Sequence, residues 1–103
     1  MGRRATLERQ KISVIILTLN CSRTLRRCLD SVKWADEIII LDGGSMDGTL
    51  QIAKEYGCKI YFDTTRGDFS YLKNKALSYA SHEWILQIDS DEYIDDLLRK
   101  QII

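Results

Sequence analysis

The sequence predicts an α/β fold, an open and mainly parallel sheet with helices on both faces. Three observations carry this. Four short apolar runs alternate with stretches of helical spacing, and the first two runs are almost continuously apolar. The chain of 103 residues, 45% of them hydrophobic, is long enough for one core and too short for two.

The runs are Ile12 to Thr18, Glu37 to Asp42, Cys58 to Asp63 and Glu83 to Asp89. A strand buried on both faces of a parallel sheet reads as a continuous apolar stretch rather than an alternation, as the first two do. Between the runs, Leu25, Leu29 and Val32, then Leu50, Ala53 and Gly57, then Phe69, Leu72, Ala76 and Ala80 keep the spacing of a helix face. Asp47 is expected to cap the second helix, because its side chain satisfies free amides, and Gly57 to end it through left-handed geometry. A last helix is expected from about Tyr93, with Ile94, Leu97, Leu98 and Ile102 on one face. Strand and helix alternate throughout, without repeats, low-complexity tracts or proline, which calls for right-handed crossovers.

Fifteen basic and fifteen acidic residues cancel, so no overall field draws the chain onto nucleic acid. Cys21, Cys28 and Cys58 form no CxxC pair and read as packing residues of a reducing compartment. Residues Met1 to Lys11 form a basic, polar extension with no apolar core behind it for a signal peptide. No apolar run reaches the roughly 18 residues of a membrane span. The expectation is a cytoplasmic protein. Peripheral contact with a membrane stays open, since Arg23, Arg26 and Arg27 cluster on the first helix, although a solvated face explains them as well.

In open sheets, ligands bind beyond the carboxyl ends of the strands, where strand order reverses. Those ends read Thr18-Leu19-Asn20, Asp42-Gly43-Gly44-Ser45 and Asp89-Ser90-Asp91-Glu92. From Asp89 to Asp96 five carboxylates fall within eight residues. Crowded like charges need a partner, and a hard cation such as Mg²⁺ or Mn²⁺ takes carboxylate, phosphate and water oxygens from such an Asp-x-Asp turn. Asp91, directly after a buried strand, is the expected ligand together with Asp89. Asp95 and Asp96 are assigned to the positive end of the following helix. The turn after Asp42 carries glycines that let backbone approach a ligand, and the Asp42 carboxylate is available to a base or ribose. An ordinary turn is the other reading.

Together these segments resemble family 2 glycosyltransferases, whose first strand commonly runs like S-V-I-I-P-T-Y-N, whose second ends like V-D-D-G-S-x-D-G-T, and whose metal motif follows a strand near residue 90. Here the three read Ser13-Val14-Ile15-Ile16-Leu17-Thr18-Leu19-Asn20, Leu41-Asp42-Gly43-Gly44-Ser45-Met46-Asp47-Gly48-Thr49 and Trp84-Ile85-Leu86-Gln87-Ile88-Asp89-Ser90-Asp91-Glu92. Within the family, the last segment looks most like bacterial glucosyltransferases of lipopolysaccharide core assembly. The resemblance implies a GT-A, Rossmann-like half domain over residues 12–103. It implies that Thr18, Asn20 and Asp42 line the nucleoside pocket and that Asp89 and Asp91 hold ribose, metal and diphosphate. Lys73 and Asn74 take the place of the family's Arg-Asn pair, where the cation can approach the diphosphate; a solvated lysine is the other reading. The sequence departs from the pattern at Leu17, Leu19 and Gly43, where Pro, Tyr and Asp are usual, and this leaves the choice of nucleotide open.

The implied reaction moves a sugar, with inversion, from a nucleoside-diphosphate sugar to a glycan or lipid-linked acceptor. The family's base lies downstream of its metal motif, so the chain is expected to be a donor-binding part that is inactive in transfer alone. A noncatalytic α/β nucleotide-binding or oligomerisation module is the alternative. The expected strand order is 3-2-1-4, which brings the ends of the first, second and fourth strands around one crevice. It leaves the fourth strand an edge through which a homodimer would form. His82 has no matching nucleophile, and Trp34 and Trp84 are read as packing residues.

Overall fold

In the computed structural model, which describes residues 10–102, the strands are β1 (Ile12–Thr18), β2 (Glu37–Asp42), β3 (Lys59–Phe62) and β4 (Trp84–Gln87). The helices are α1 (Ser22–Val32), α2 (Thr49–Glu55), α3 (Phe69–Ser78) and α4 (Asp96–Ile102). Most of the expected N-terminal extension, residues 1–9, lies outside the described residues. All strand pairs are parallel and the order is β3-β2-β1-β4, as the sequence predicts. Thr18 sits level with Asp42, and Asp42 with Phe62, so the carboxyl ends of three strands finish side by side.

Successive side chains of a strand face opposite ways, and the core divides accordingly. Val14, Ile16 and Ile40 pack under α1 and α2 with Leu25, Leu29, Val32 and Ala53. Ile15, Ile39 and Leu41 pack under α3 with Ala76. Burial on both faces is why β1 and β2 carry no alternation. The chain leaves α2 through a paired turn in which Gly57, at φ 71°, donates to the Lys54 carbonyl and Cys58 to that of Ala53. Asp47 differs from its expected place. Gly48 is the capping residue, and Asp47, one residue earlier, accepts from the amide and hydroxyl of Thr49 and from the Ser22 amide of α1. An Asx turn thus replaces a simple cap and ties two helix starts together.

The periphery also departs from expectation. β3 and β4 are four residues each, and the last helix starts at Asp96 rather than Tyr93. That helix buries no side chain, and Leu97 is 70% exposed. Trp84, read as a packing residue, is 58% exposed on the edge strand β4. Helical spacing marks an apolar stripe but does not say what covers it.

At the opposite end of the sheet from the strands' carboxyl termini, the buried Glu37 accepts from the Ser13 hydroxyl, the Lys59 ammonium and both the amide and hydroxyl of Ser81. One carboxylate therefore joins β1, β2, β3 and the segment leading into β4. Burial alone would raise its pKa, but Lys59, Ser13 and Ser81 outweigh burial and bring it down from 4.5 to about 2. A depressed carboxylate contributes stability that is present above its unfolded pKa and lost as pH falls through the folded one. Thermal unfolding of the wild type and Glu37→Gln should therefore differ most above pH 4.5, and the gap should close toward about pH 2. A gap independent of pH would contradict this role.

Candidate functional site

Chain connections run from β1 outward through β2 to β3, then return to place β4 on the other side of β1. The reversal opens a crevice beyond the strand ends. Two cavities lie there. A polar one of about 570 Å³ is lined by Asn20, Arg23, Thr24, Lys73, Asp89 and Asp91, among others. A more apolar one of about 300 Å³ is lined by Leu17, Thr18, Leu19, Gly43, Arg66 and Leu72, among others. Leu17, Phe69 and Ser90 belong to both walls, so the cavities are neighbours.

The turn that brings Gly43 to the apolar wall is built on Asp42. Its side chain is fully buried, and its oxygens accept from the Thr18 hydroxyl (2.6 Å), the Gly44 and Ser45 amides (2.8 and 2.7 Å) and the Ser45 hydroxyl (2.7 Å). Burial pushes its pKa up, and these donors, Ser45 foremost, bring it below the ordinary carboxylate value. Asp42 lines neither of these two cavity walls, and four bonds from its own turn and the adjacent strand engage its oxygens. Thr18 keeps a place on the apolar wall while its hydroxyl serves Asp42.

Asn20 joins the first turn to the second. It holds φ 49°, a left-handed conformation that Asn tolerates better than most residues. Its Oδ1 accepts from the Met46 amide at 2.7 Å, and its own amide donates to the Ser45 hydroxyl at 2.8 Å.

The acidic loop after β4 is held from α1. The Thr24 hydroxyl donates to the Ser90 carbonyl at 3.0 Å, and the Arg27 guanidinium lies 3.7 Å from the centre of the Tyr93 ring. Glu92 closes the loop on itself by accepting from the Asp89 amide. Asp91 is exposed, and its side chain makes no hydrogen bond among the described residues. The sequence-expected Asn20, Lys73, Asp89 and Asp91 thus share one cavity, from three different elements. Among the described residues no group of three His, Cys, Asp or Glu side chains forms a ready-made metal site. Burial lifts the Cys28 thiol to about 12 and that of Cys58 to about 11, so these cysteines stay protonated and pack.

Sequence reasoning missed Arg23, Thr24, Phe69 and Arg66 as wall residues. The sequence leaves Arg23 between a lipid or anionic-acceptor contact and a solvated face, and the helical spacing of Phe69 reads as core although it is 69% exposed at the cavities. Only fold-level adjacency reveals the other two.

Comparison with known proteins follows the same outline. The profile of glycosyl transferase family 2 matches residues 13–102. The SPbeta prophage-derived glycosyltransferase SunS of Bacillus subtilis is 42% identical over 82 residues, which are 74% of this chain and 19% of that protein. The crystal structure of residues 1–349 of S. aureus TarS superposes with a TM-score of 0.77 at 32% identity, covering 88% of this chain and 30% of that one. TarS has also been crystallised with UDP and with UDP-GlcNAc. Glucosyl-3-phosphoglycerate synthase from Mycobacterium tuberculosis, in complex with Mn²⁺, UDP and glucosyl-3-phosphoglycerate, superposes with a TM-score of 0.67 at 26% identity, covering 82% and 36% of the two chains. The chain spans about a fifth to a third of the length of the curated relatives it matches.

If Asp42 holds the turn, Asp42→Asn should cost roughly 1–3 kcal/mol of stability, because an amide group would face amide and hydroxyl donors in a buried place. Chemical denaturation measures this. An unchanged midpoint would mean that Asp42 does not hold the turn.

Proposed function

Since the chain belongs to glycosyl transferase family 2, we propose that its crevice binds a nucleoside-diphosphate sugar, UDP-linked, for inverting transfer of the sugar to a glycan or lipid-linked acceptor. The observation that carries this reading is the pairing of the two cavities. An apolar slot floored by the Asp42 turn suits a flat base, and the adjoining polar cavity, with Lys73, Arg23 and the Asp89–Asp91 loop, suits a diphosphate. The UDP and UDP-GlcNAc complexes of TarS support the choice of nucleotide. A lipopolysaccharide-core acceptor rests on the Trp84 to Glu92 pattern alone.

A divalent cation fits the residues present. Mg²⁺-type ions bind through one or two carboxylates, with phosphate and water completing the shell. Two exposed acids on one loop, without a third protein ligand among the described residues, suit that division. Asp91 and Asp89 would hold Mg²⁺ or Mn²⁺, and the Mn²⁺ and UDP found together in glucosyl-3-phosphoglycerate synthase support this. When bound, the ion supplies charge stabilisation for the departing diphosphate.

The chain's own residues work on the donor. Lys73 and Arg23 offset phosphate charge, Thr24 keeps the acidic loop in place through Ser90, and Asn20 locks the two turns at the mouth. Attack by an acceptor hydroxyl also needs a base and an oriented acceptor. We assign both to parts of the protein other than these residues.

Calorimetry with UDP should show binding in Mn²⁺ that weakens in EDTA, and Asp91→Asn should weaken it about tenfold, the scale of one lost charged contact, without moving the melting temperature. Equal affinity with Mn²⁺ and with EDTA would end the metal reading. Incubated with Mn²⁺, labelled UDP-sugars and lipopolysaccharide-core acceptors, the 103-residue chain should release at most slowly hydrolysed sugar. Strong labelling of acceptor would mean that a base lies within it.

A further inference from the structure

We infer that Arg66 is a specificity-determining residue that reads the far edge of the nucleobase and selects uracil over cytosine; this rests on the donor-binding reading above. The loop between β3 and α3 is pinned at both ends. Asp63 accepts from the Thr65 amide at 2.8 Å, and Asp68 caps α3 by accepting from the Tyr71 amide at 2.9 Å. Gly67, at φ 83°, turns the chain between them. The Arg66 guanidinium is thereby laid over the second turn, where its Nη1 comes within 3.2 Å of the place a Cβ on Gly43 would occupy. A side chain at position 43 would be in tight contact with it.

The charge is free to act. Asp63, on the same cavity wall, is already taken by the Lys75 ammonium (2.7 Å) and the Tyr71 hydroxyl (2.8 Å). Among the described residues Arg66 forms no ion pair, and its hydrogen bond goes to the Thr64 carbonyl at 3.1 Å. A guanidinium carries several N–H donors and no acceptor, so whatever faces it must accept.

Position decides which edge it meets. Arg66 and Gly43 line the apolar cavity and not the polar one. A nucleotide whose diphosphate lies in the polar cavity enters ribose first from that side. The ring edge furthest from the ribose then points toward Arg66. In a pyrimidine that edge carries the group on C4, a carbonyl acceptor in uracil and an amino donor in cytosine. Arg66 favours the first and opposes the second. Arg66 touches the base in this arrangement and takes no part in bond making.

The test is calorimetric titration of the chain, in Mn²⁺, with UDP and with CDP, for the wild type, Arg66→Ala and Arg66→Lys. The wild type should prefer UDP. Arg66→Ala should lose about tenfold in UDP affinity, the scale of one charge-assisted hydrogen bond, with little loss for CDP, so that the preference collapses. Arg66→Lys, still a donor but without the planar fork, should retain part of it. Thermal melts should coincide, because the side chain is exposed. Parallel losses for UDP and CDP would make Arg66 a phosphate contact and overturn the proposal, as would an unchanged ratio in Arg66→Ala. A wild type that binds neither nucleotide would overturn the donor-binding reading beneath it.

Discussion

The crevice depends on one buried carboxylate. Asp42 ends β2 at the level where Thr18 ends β1, and the short bonds it accepts from Thr18, Gly44 and Ser45 fix how the chain leaves the sheet. Leaving it unpaired at that depth would be costly, so the turn is obliged to supply donors. Gly44, at φ 102°, adopts the left-handed geometry the turn needs to bring its amide back to the carboxylate. Ser45 then passes the constraint on: its hydroxyl donates to Asp42 and accepts from the Asn20 amide. One acid thus sets the relative position of the turns after β1 and β2.

The other side of the crevice is organised differently. The acidic loop is held by backbone-directed bonds from α1 and by Glu92, which leaves the Asp91 carboxylate uncommitted. A carboxylate that serves the fold must be saturated, and one that serves a ligand must not be. In this chain Asp42 is saturated and Asp91 is open, both at strand ends and with opposite surroundings, and the proposed function gives the open one to the ligand.

That contrast marks what was legible in the sequence. Continuous apolar runs identify β1 and β2 as doubly buried, and the strand order places their ends together with the acidic segment. Lys73, Asn20, Asp89 and Asp91 could be expected in one place on those grounds and on the motif resemblance. The bonds that tie Asp42 to its own turn could not, since a strand-end acid beside glycines reads the same with or without them. The role of Arg66 was also out of reach, because it depends on a loop 23 residues after Gly43 folding back over it, and neither spacing nor composition encodes that approach. At α4 and Trp84 the apolar pattern is real but lies uncovered among the described residues, so periodicity alone overstated burial.

The proposed function stands on nucleotide binding in the crevice at the strands' carboxyl ends. Amide chemical-shift mapping during titration with UDP and Mg²⁺ tests it most directly. Shifts should concentrate at Leu17 to Asn20, Gly43 to Ser45, Arg66 and Ser90 to Asp91, and stay small at Asp36 to Ile38 and at Lys59, which line a separate cavity of about 180 Å³. Shifts centred on that other cavity, with Gly43 to Ser45 and Ser90 to Asp91 unmoved, would contradict it.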